Sequence, residues 1–337
     1  VTSGPVILLT GAGGQVGWEL RRTLGCLGEI VALDSSTMNL ADADAVRRHV
    51  RAIAPRIIVN PAAYTAVDKA ESDPARARAV NATAPGVLAE EAAHLGALLV
   101  HYSTDYVFDG SGDTPWREED TCAPLNVYGA TKLDGERAIQ GSSCAHLIFR
   151  TSWVYGARGS NFLLTMRRLM RERSELKIVA DQIGAPTWCR DLAEATAQAL
   201  ACIVSPAGGF DDQAPWGVYH MCNAGETSWH GFAEAIRALE NADVSLLPIP
   251  TRDYPTPAQR PLNSRLDCDK LESTFGLRLR HWREALALCV QGGELGATAT
   301  ASGKTSASMG HPRPDCRGRC QERVHTLRRP LHRDPKK

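Results

Sequence analysis

The chain has no net charge, since 38 Lys and Arg balance 38 Asp and Glu over 337 residues. No whole-molecule field therefore draws it to nucleic acid or to an anionic membrane surface. It has no apolar run near the roughly twenty residues that a membrane-spanning helix needs. The first ten residues carry neither the basic start nor the cleavage signal of a secretory peptide, so the expected location is cytoplasmic. No internal repeat is visible, and no cysteine framework either. Eight of the ten cysteines are scattered between Cys26 and Cys289 without pairing spacing, some in apolar stretches such as "ALACIV". Buried free thiols are the expectation, because a chain of this size needs no covalent staples. Cys316 and Cys320, with His311, His325 and His332 nearby, match no standard zinc spacing, so no metal is expected there.

What is present is 43% hydrophobic and 23% charged, the profile of a soluble globular protein with one large or two moderate domains. Over the first 155 residues short apolar runs alternate with longer amphipathic ones. The runs are "VILLT" (6–10), "EIVALD" (29–34), "RIIVN" (56–60), "ALLVHYSTD" (97–105) and "AHLIFRTS" (145–152). Helices are expected at 15–25, 42–53 and 83–95. This alternation predicts an α/β fold, a doubly wound parallel Rossmann sheet buried on both faces. Past it the rhythm loosens and prolines break "RDYPTPAQRPLNSRLD" (252–267). A smaller, irregular α/β domain is expected at 156–292, with segments near 177–202 and 217–223 returning to the main sheet. From Gly293 aromatics are absent, and ten Lys and Arg stand against four Asp and Glu, so +6 there faces −6 in the first 292 residues. Disorder is the expectation for 293–337, because such a segment buries too little apolar surface to offset its ordering entropy. A nucleic-acid or membrane arm, and an incidental appendage, are the alternatives.

"TGAGGQVG" follows the first run and opens a helix, spacing Gly11, Gly14 and Gly17 three apart. Glycines there serve a tight turn, close approach to a pyrophosphate and tight helix packing, while free N–H groups at the helix start face the phosphates. A plain strand-to-helix turn is the bland reading. The run before, the helix after and Asp34 ending the second run all favour a dinucleotide site. Asp34 suits an adenosine ribose and would repel a 2′-phosphate, which leans towards NADH. Arg21 or Arg22 can still reach over, so NADPH stays open.

In "VYGATKL", Tyr128 and Lys132 stand one helical turn apart on one face. As a pair they can be a solvated surface feature. Their company is "HYSTDYVFDG" (101–110), which leaves its strand at the carboxyl end, where open α/β sheets bind ligands. Reducing a ketone needs a hydride at carbon and a proton at oxygen. Tyr128 is the candidate donor, Lys132 is expected to lower its pKa, and Thr104 can hydrogen-bond the developing oxyanion.

These motifs, with Asn81 and the blocks "AYTAVDKAE" (63–71), "PLNVYGATKL" (124–133), "FRTSWVYG" (149–156), "DQIGAPT" (181–187) and "YPTPAQRPLNSRLD" (254–267), resemble the dTDP-4-dehydrorhamnose reductase family of extended short-chain dehydrogenases/reductases. The resemblance covers residues 5 to about 290. It implies reduction of dTDP-4-dehydro-β-L-rhamnose to dTDP-L-rhamnose by NADPH or NADH, with Thr104, Tyr128 and Lys132 catalytic. By the same resemblance Gly11, Gly14, Gln15, Val16, Gly17, Asp34, Asn39, Leu40, Ala62, Ala63, Tyr64, Tyr128 and Lys132 hold the cofactor. Val67, Thr104, Asp105, Tyr106, Trp153 and Arg260 hold the dTDP-sugar. Pro61 and Asn39 depart from the family pattern near the adenine. Part of the family dimerises around Mg2+ through acidic residues. Here Gln15, Arg190 and Gly292 stand near those places, so the metal is not carried over and a homodimer is left open. Trp153 can instead be plain core, and Arg260 and Arg265 can bind the diphosphate, which suits guanidinium forks, or be surface ion pairs. His101 reads as a satisfied core histidine, and Asp68, Lys69 and Glu71 as a helix start. The rival functions are another dTDP-4-keto-6-deoxysugar reductase or epimerase, and a non-catalytic regulatory subunit of the same fold.

Overall fold

Six stretches form one parallel sheet: β1 (Val6–Leu9), β2 (Glu29–Ala32), β3 (Ile57–Asn60), β4 (Leu98–Thr104), β5 (His146–Thr151) and β6 (Gly217–His220). Their spatial order is β2-β1-β3-β4-β5-β6. This is a computed structural model, and it describes residues 4–205, 209–210 and 214–301. Cys316, Cys320 and the three neighbouring histidines lie outside the described residues, as does the rest of the basic segment from 302 on.

Alternation along the strands sends neighbouring side chains to opposite faces. Ile7, Leu9, Ile57 and Val59 join a cluster with Leu20 of α1 (Gln15–Thr23), with Leu24 just past it and with Leu192 and Ala199. Leu8, Ile58, Leu99 and Ile148 join another with Val46 and Val50 of α2 (Ala43–Ile53) and Leu88 and Ala92 of α3 (Ala84–Leu95). Each fully buried Leu or Ile contributes about 1.5–3 kcal/mol, which is why both faces hold. Asp42 caps α2 by accepting from Ala45 N at 2.9 Å, and Gly96 ends α3 at φ +60°. Two further helices complete the frame, α4 (Val127–Gln140) and α5 (Cys189–Ile203). Thr23 of α1 donates to the carbonyl of Ala193 in α5 at 3.0 Å.

A third cluster gathers Tyr155, Met166, Trp188, Phe232 and Trp282 around the helices Phe162–Glu172 and Trp229–Glu240. Beside them the strands Glu175–Val179 and Ser245–Ile249 pair in parallel. The described residues up to Gly296 form one compact unit. The last helix, Trp282–Ala301, runs past residue 293, where composition placed the start of the tail. No described helix is long and apolar enough to cross a membrane. Cys26 and Cys202 are exposed, against the expectation of burial for "ALACIV".

Candidate active site

The chain leaves β1 towards β2 on one side and returns to β3 on the other, so the crevice opens at the carboxyl ends of β1 and β3. Gly11 turns there at φ +55°, and a Cβ on it would lie 2.8 Å from the Cβ of Ala62 beyond β3. A Cβ on Gly17 would overlap the carbonyl oxygen of Gly11, so α1 sits directly on the loop. No side chain caps the start of α1 at Gly14, which leaves its first N–H groups facing the crevice edge. The residues thus fit a pyrophosphate. Val16 packs between the two adjacent clusters, and Gln15 Oε1 accepts from Asn161 Nδ2 at 2.8 Å.

Asp34 lies exposed two residues past β2, its Oδ1 accepting from Ser36 Oγ at 2.6 Å and Ser36 N at 2.9 Å. Those bonds hold its carboxyl below the usual carboxylate range. Arg22 is bound to Glu194 at 3.0 Å, and Arg21 lies over the Trp18 ring. Asn39 is exposed and accepts from Ala41 N at 3.1 Å, whereas Leu40 is turned into the core. The loop of Ala62, Ala63 and Tyr64 is held by Asn81. That side chain accepts from Tyr64 N at 2.8 Å and donates to Tyr64 O at 3.1 Å and Thr131 Oγ1 at 3.2 Å. Asn81 sits in a π-turn, Ala79–Thr83, a wide turn that commonly marks functional sites.

Asn126 caps α4, accepting from Gly129 N at 2.8 Å. A Cβ on Gly129 would overlap the carbonyl oxygen of Tyr106, so only glycine lets α4 approach this closely. The result sets Tyr128 against the end of β4: its ring meets Tyr106 edge-on at 5.6 Å, and its hydroxyl lies beside Thr104. Burial pushes the Tyr128 hydroxyl up to about 12, with Thr104 opposing it. The sequence expectation of a Lys132-lowered tyrosine is therefore reversed. Lys132 is 2% exposed and gives its donors elsewhere, to Tyr102 O at 2.6 Å and His101 Nε2 at 3.1 Å. Desolvation brings Lys132 down to about 8, with the Glu136 carboxylate opposing.

His101 is fully buried, and its Nδ1 lies 3.0 Å from the Asn60 amide, which also meets Thr10 Oγ1 at 2.5 Å. Burial and the Lys132 charge keep the ring neutral, well below the usual histidine range. A neutral ring has one acceptor nitrogen, so it cannot accept from both an ammonium and an amide NH2. One ring nitrogen accepts and the other carries the proton, for which the backbone of Asn60 is a hydrogen-bond partner. Asp105 is 2% exposed and pushed up to about 6 by burial, with the neighbouring Ser264 and Thr104 opposing. Its Oδ2, and the Oγ1 of Thr151 at the end of β5, are buried without a hydrogen-bond partner. Orphaned polar atoms at a crevice are what a polar ligand satisfies.

Trp153 follows β5 in a left-handed conformation, φ +47°, a strain that marks functional positions. One face stacks on Trp229 at 3.7 Å, and Trp229 Nε1 donates to Gln182 Oε1 at 3.1 Å. Arg260 forks onto Asp68 at 3.1 and 2.8 Å, and Asp68 also accepts from Ala258 N. Val67 is half-buried at the start of the same helix, Val67–Ser72. Arg265 is paired with Glu226 at 2.6 Å. Glu71 accepts from Val127 N at 2.8 Å. Asp68 and Glu71, expected to cap and solvate a helix, thus tie that helix to segment 258–260 and to α4.

The family model described as "RmlD substrate binding domain" matches residues 6–294. The dTDP-4-dehydrorhamnose reductase of Burkholderia thailandensis is 52% identical over 295 residues, which cover 85% of this chain and 98% of that one. The chain belongs to the dTDP-4-dehydrorhamnose reductase family. The reductase of Escherichia coli K12 is 47% identical over 82% of this chain and 94% of its own. A solved dTDP-4-dehydrorhamnose reductase of Bacillus anthracis, in complex with NADP, superposes with a TM-score of 0.80 at 34% identity, covering 86% of this chain and 99% of that one.

Within this family member, sequence reasoning passed over three groups that the fold brings to the site. The Asn60–His101 pair holds Lys132, Gln182 and Trp229 back Trp153, and Ser264 lies beside Asp105. The one signal available was polarity inside apolar runs, the Asn of "RIIVN" and the His of "LLVHYST".

Proposed function

We propose that the protein reduces the 4-keto group of dTDP-4-dehydro-β-L-rhamnose to the alcohol of dTDP-L-rhamnose, as an NADPH- or NADH-dependent oxidoreductase acting on a CH–OH group. The observation that carries this reading is Tyr128 set edge-on against Tyr106 at the end of β4, beside Thr104 and one turn from buried Lys132, in a chain of this family. Residues 1–155 with the returning segments bind the dinucleotide, and 156–292 mainly bind the nucleotide sugar. Gly11, Gly14, Gln15, Val16 and Gly17 take the pyrophosphate, and Asp34 takes the adenosine ribose. Asn39, Leu40, Ala62, Ala63 and Tyr64 flank the cofactor. When bound, the reduced nicotinamide supplies a hydride to C4.

The protein's own residues supply the rest. Tyr128 gives its proton to O4 as negative charge develops there, and a hydroxyl near 12 stays protonated at neutral pH while an alkoxide remains the stronger base. Thr104 turns to the same oxygen the proton that it otherwise gives to Asp105 Oδ1 at 3.0 Å. Lys132 stabilises the phenolate left behind and holds the nicotinamide ribose. Val67, Asp105, Tyr106, Trp153 and Arg260 fix the sugar and its nucleotide. Incubation with the keto sugar and each cofactor, followed at 340 nm and by NMR of the product, tests this reading. A product other than dTDP-L-rhamnose, or no cofactor consumption, sinks it.

A pH dependence follows with a definite sign. Lys132 loses its positive charge as pH rises through about 8, whereas Tyr128 keeps its proton until about 12. The kcat/KM is expected to be level below about pH 8 on its alkaline side and to fall tenfold per unit above it. Rates between pH 6 and 10 check this, and a plateau persisting to pH 10 counts against a charged Lys132.

A further inference from the structure

Among the described residues all eight cysteines are free thiols. Two of them meet across 46 residues: Cys222, just past β6, and Cys268, just before the helix Asp269–Phe275, have Sγ atoms 3.5 Å apart. Cys222 is 5% exposed, whereas Cys268 is partly open. Both line a cavity of about 350 Å3 together with Ala185, Asn223, Arg265 and Leu266. The pair borders the candidate site, since Cys222 packs in one cluster with Phe108, Ala185 and Val107, the last two residues from Asp105 in the chain, and feels the Asp105 charge. The bond with Cys268, with burial behind it, pushes the Cys222 thiol well above the usual thiol range.

We propose that Cys222 and Cys268 form a peroxide-sensitive dithiol site that closes reversibly to a disulfide beside Asp105. Cys268, the accessible thiol, attacks a small hydroperoxide as its thiolate. The O–O bond breaks, the sulfur becomes a sulfenic acid, and the leaving oxygen departs as water or alcohol with a proton. The buried Cys222 thiol then attacks the sulfenic sulfur, forming the S–S bond and releasing water. Two thiols lose two electrons and two protons in all, and one peroxide is reduced. The buried thiol is unreactive by itself and acts only as the resolving partner, which contact makes fast.

The fold gives this closure a consequence. A disulfide holds its sulfurs about 2.0 Å apart, so the two must approach by roughly 1.5 Å. Cys268 is two residues past Leu266, in the segment that continues the short strand Asn263–Ser264. Ser264 lies beside Asp105, and that strand pairs with Ile183–Gly184, where Gly184 lies against the Trp153 ring. Movement at Cys268 therefore reaches two residues proposed to hold the sugar.

The test treats the full chain with a small excess of hydrogen peroxide and digests it without reduction for mass spectrometry. The expected result is a peptide pair joined through Cys222 and Cys268, lighter by two hydrogens and separated by dithiothreitol, with titratable thiols down by two. Recovery of both cysteines as free thiols, or as separate sulfinic or sulfonic acids, overturns the proposal. The mass readout stands apart from turnover, so it holds or fails independently of the proposed reaction. Oxidation is also expected to raise KM for the keto sugar several-fold, with Cys268→Ala or Cys268→Ser unaffected by the same treatment. A joined pair with unchanged KM overturns the link to Asp105.

Discussion

Replacing Tyr128 with phenylalanine is expected to lower kcat by about 10²–10⁴-fold, the usual contribution of a positioned general acid. The ring survives the change, and with it the edge-on contact to Tyr106 at 5.6 Å. The fold, KM for the keto sugar and cofactor affinity should therefore stay close to the parent values. Only the proton is lost, and without it the hydride leaves an alkoxide that water must quench in a buried crevice. Steady-state rates with melting curves on the same preparation decide the matter. Unchanged kcat would remove Tyr128 from the reaction, and a collapsed melting temperature would make the loss one of folding.

The size of that effect depends on features of unequal legibility. The central strands were readable because a sheet buried on both faces needs unbroken apolar runs, and "RIIVN" and "LLVHYST" sit where β3 and β4 lie. Gly17 and Gly129 were visible as letters, but the carbonyls they admit, Gly11 O and Tyr106 O, come into view only when helices are placed on the loop and on β4. Spacing put Tyr128 and Lys132 on one helical face, and they are on one face. It gave the wrong sign for the tyrosine, since spacing carries no information about desolvation, and burial is the largest influence on that hydroxyl.

Contacts between distant residues were the least legible. Arg260 meets Asp68 across 192 residues, Trp153 stacks on Trp229, and Lys132 meets His101 across 31 residues. No period links such positions. Polar residues in apolar surroundings hint that a partner exists without naming it, because burying a polar group costs free energy unless it is hydrogen-bonded. His101 is such a case: it reads as a satisfied core histidine, and what satisfies it is the lysine of the site. A core position and a functional one coincide there.

The largest effect on stability is expected at Arg150 and Glu136. Both side chains are buried, 5% and 1% exposed, and the guanidinium grips the carboxylate with Nη2 at 2.7 Å and Nε at 3.0 Å. Arg150 also lies over the Phe108 ring and reaches Cys122 Sγ at 3.4 Å, so the charge has no route to water. Removing one partner of such a pair leaves an uncompensated buried charge and costs about 3–5 kcal/mol. Glu136→Ala and Arg150→Met should each lower the melting temperature by roughly 5–10 °C. The double variant with Met at both positions should recover most of that, because a well-packed apolar pair is often as stable as the ion pair it replaces. Calorimetry of the three variants checks this, and additive losses in the double variant would show that the pair itself, not the orphaned charge, carries the stability. Glu136 lies one turn beyond Lys132 on α4, and its charge opposes the desolvation that lowers the lysine. The double variant therefore separates the two roles: with stability restored, the alkaline limb of kcat/KM should still move below about 8, because nothing negative is left on that turn to hold the Lys132 proton.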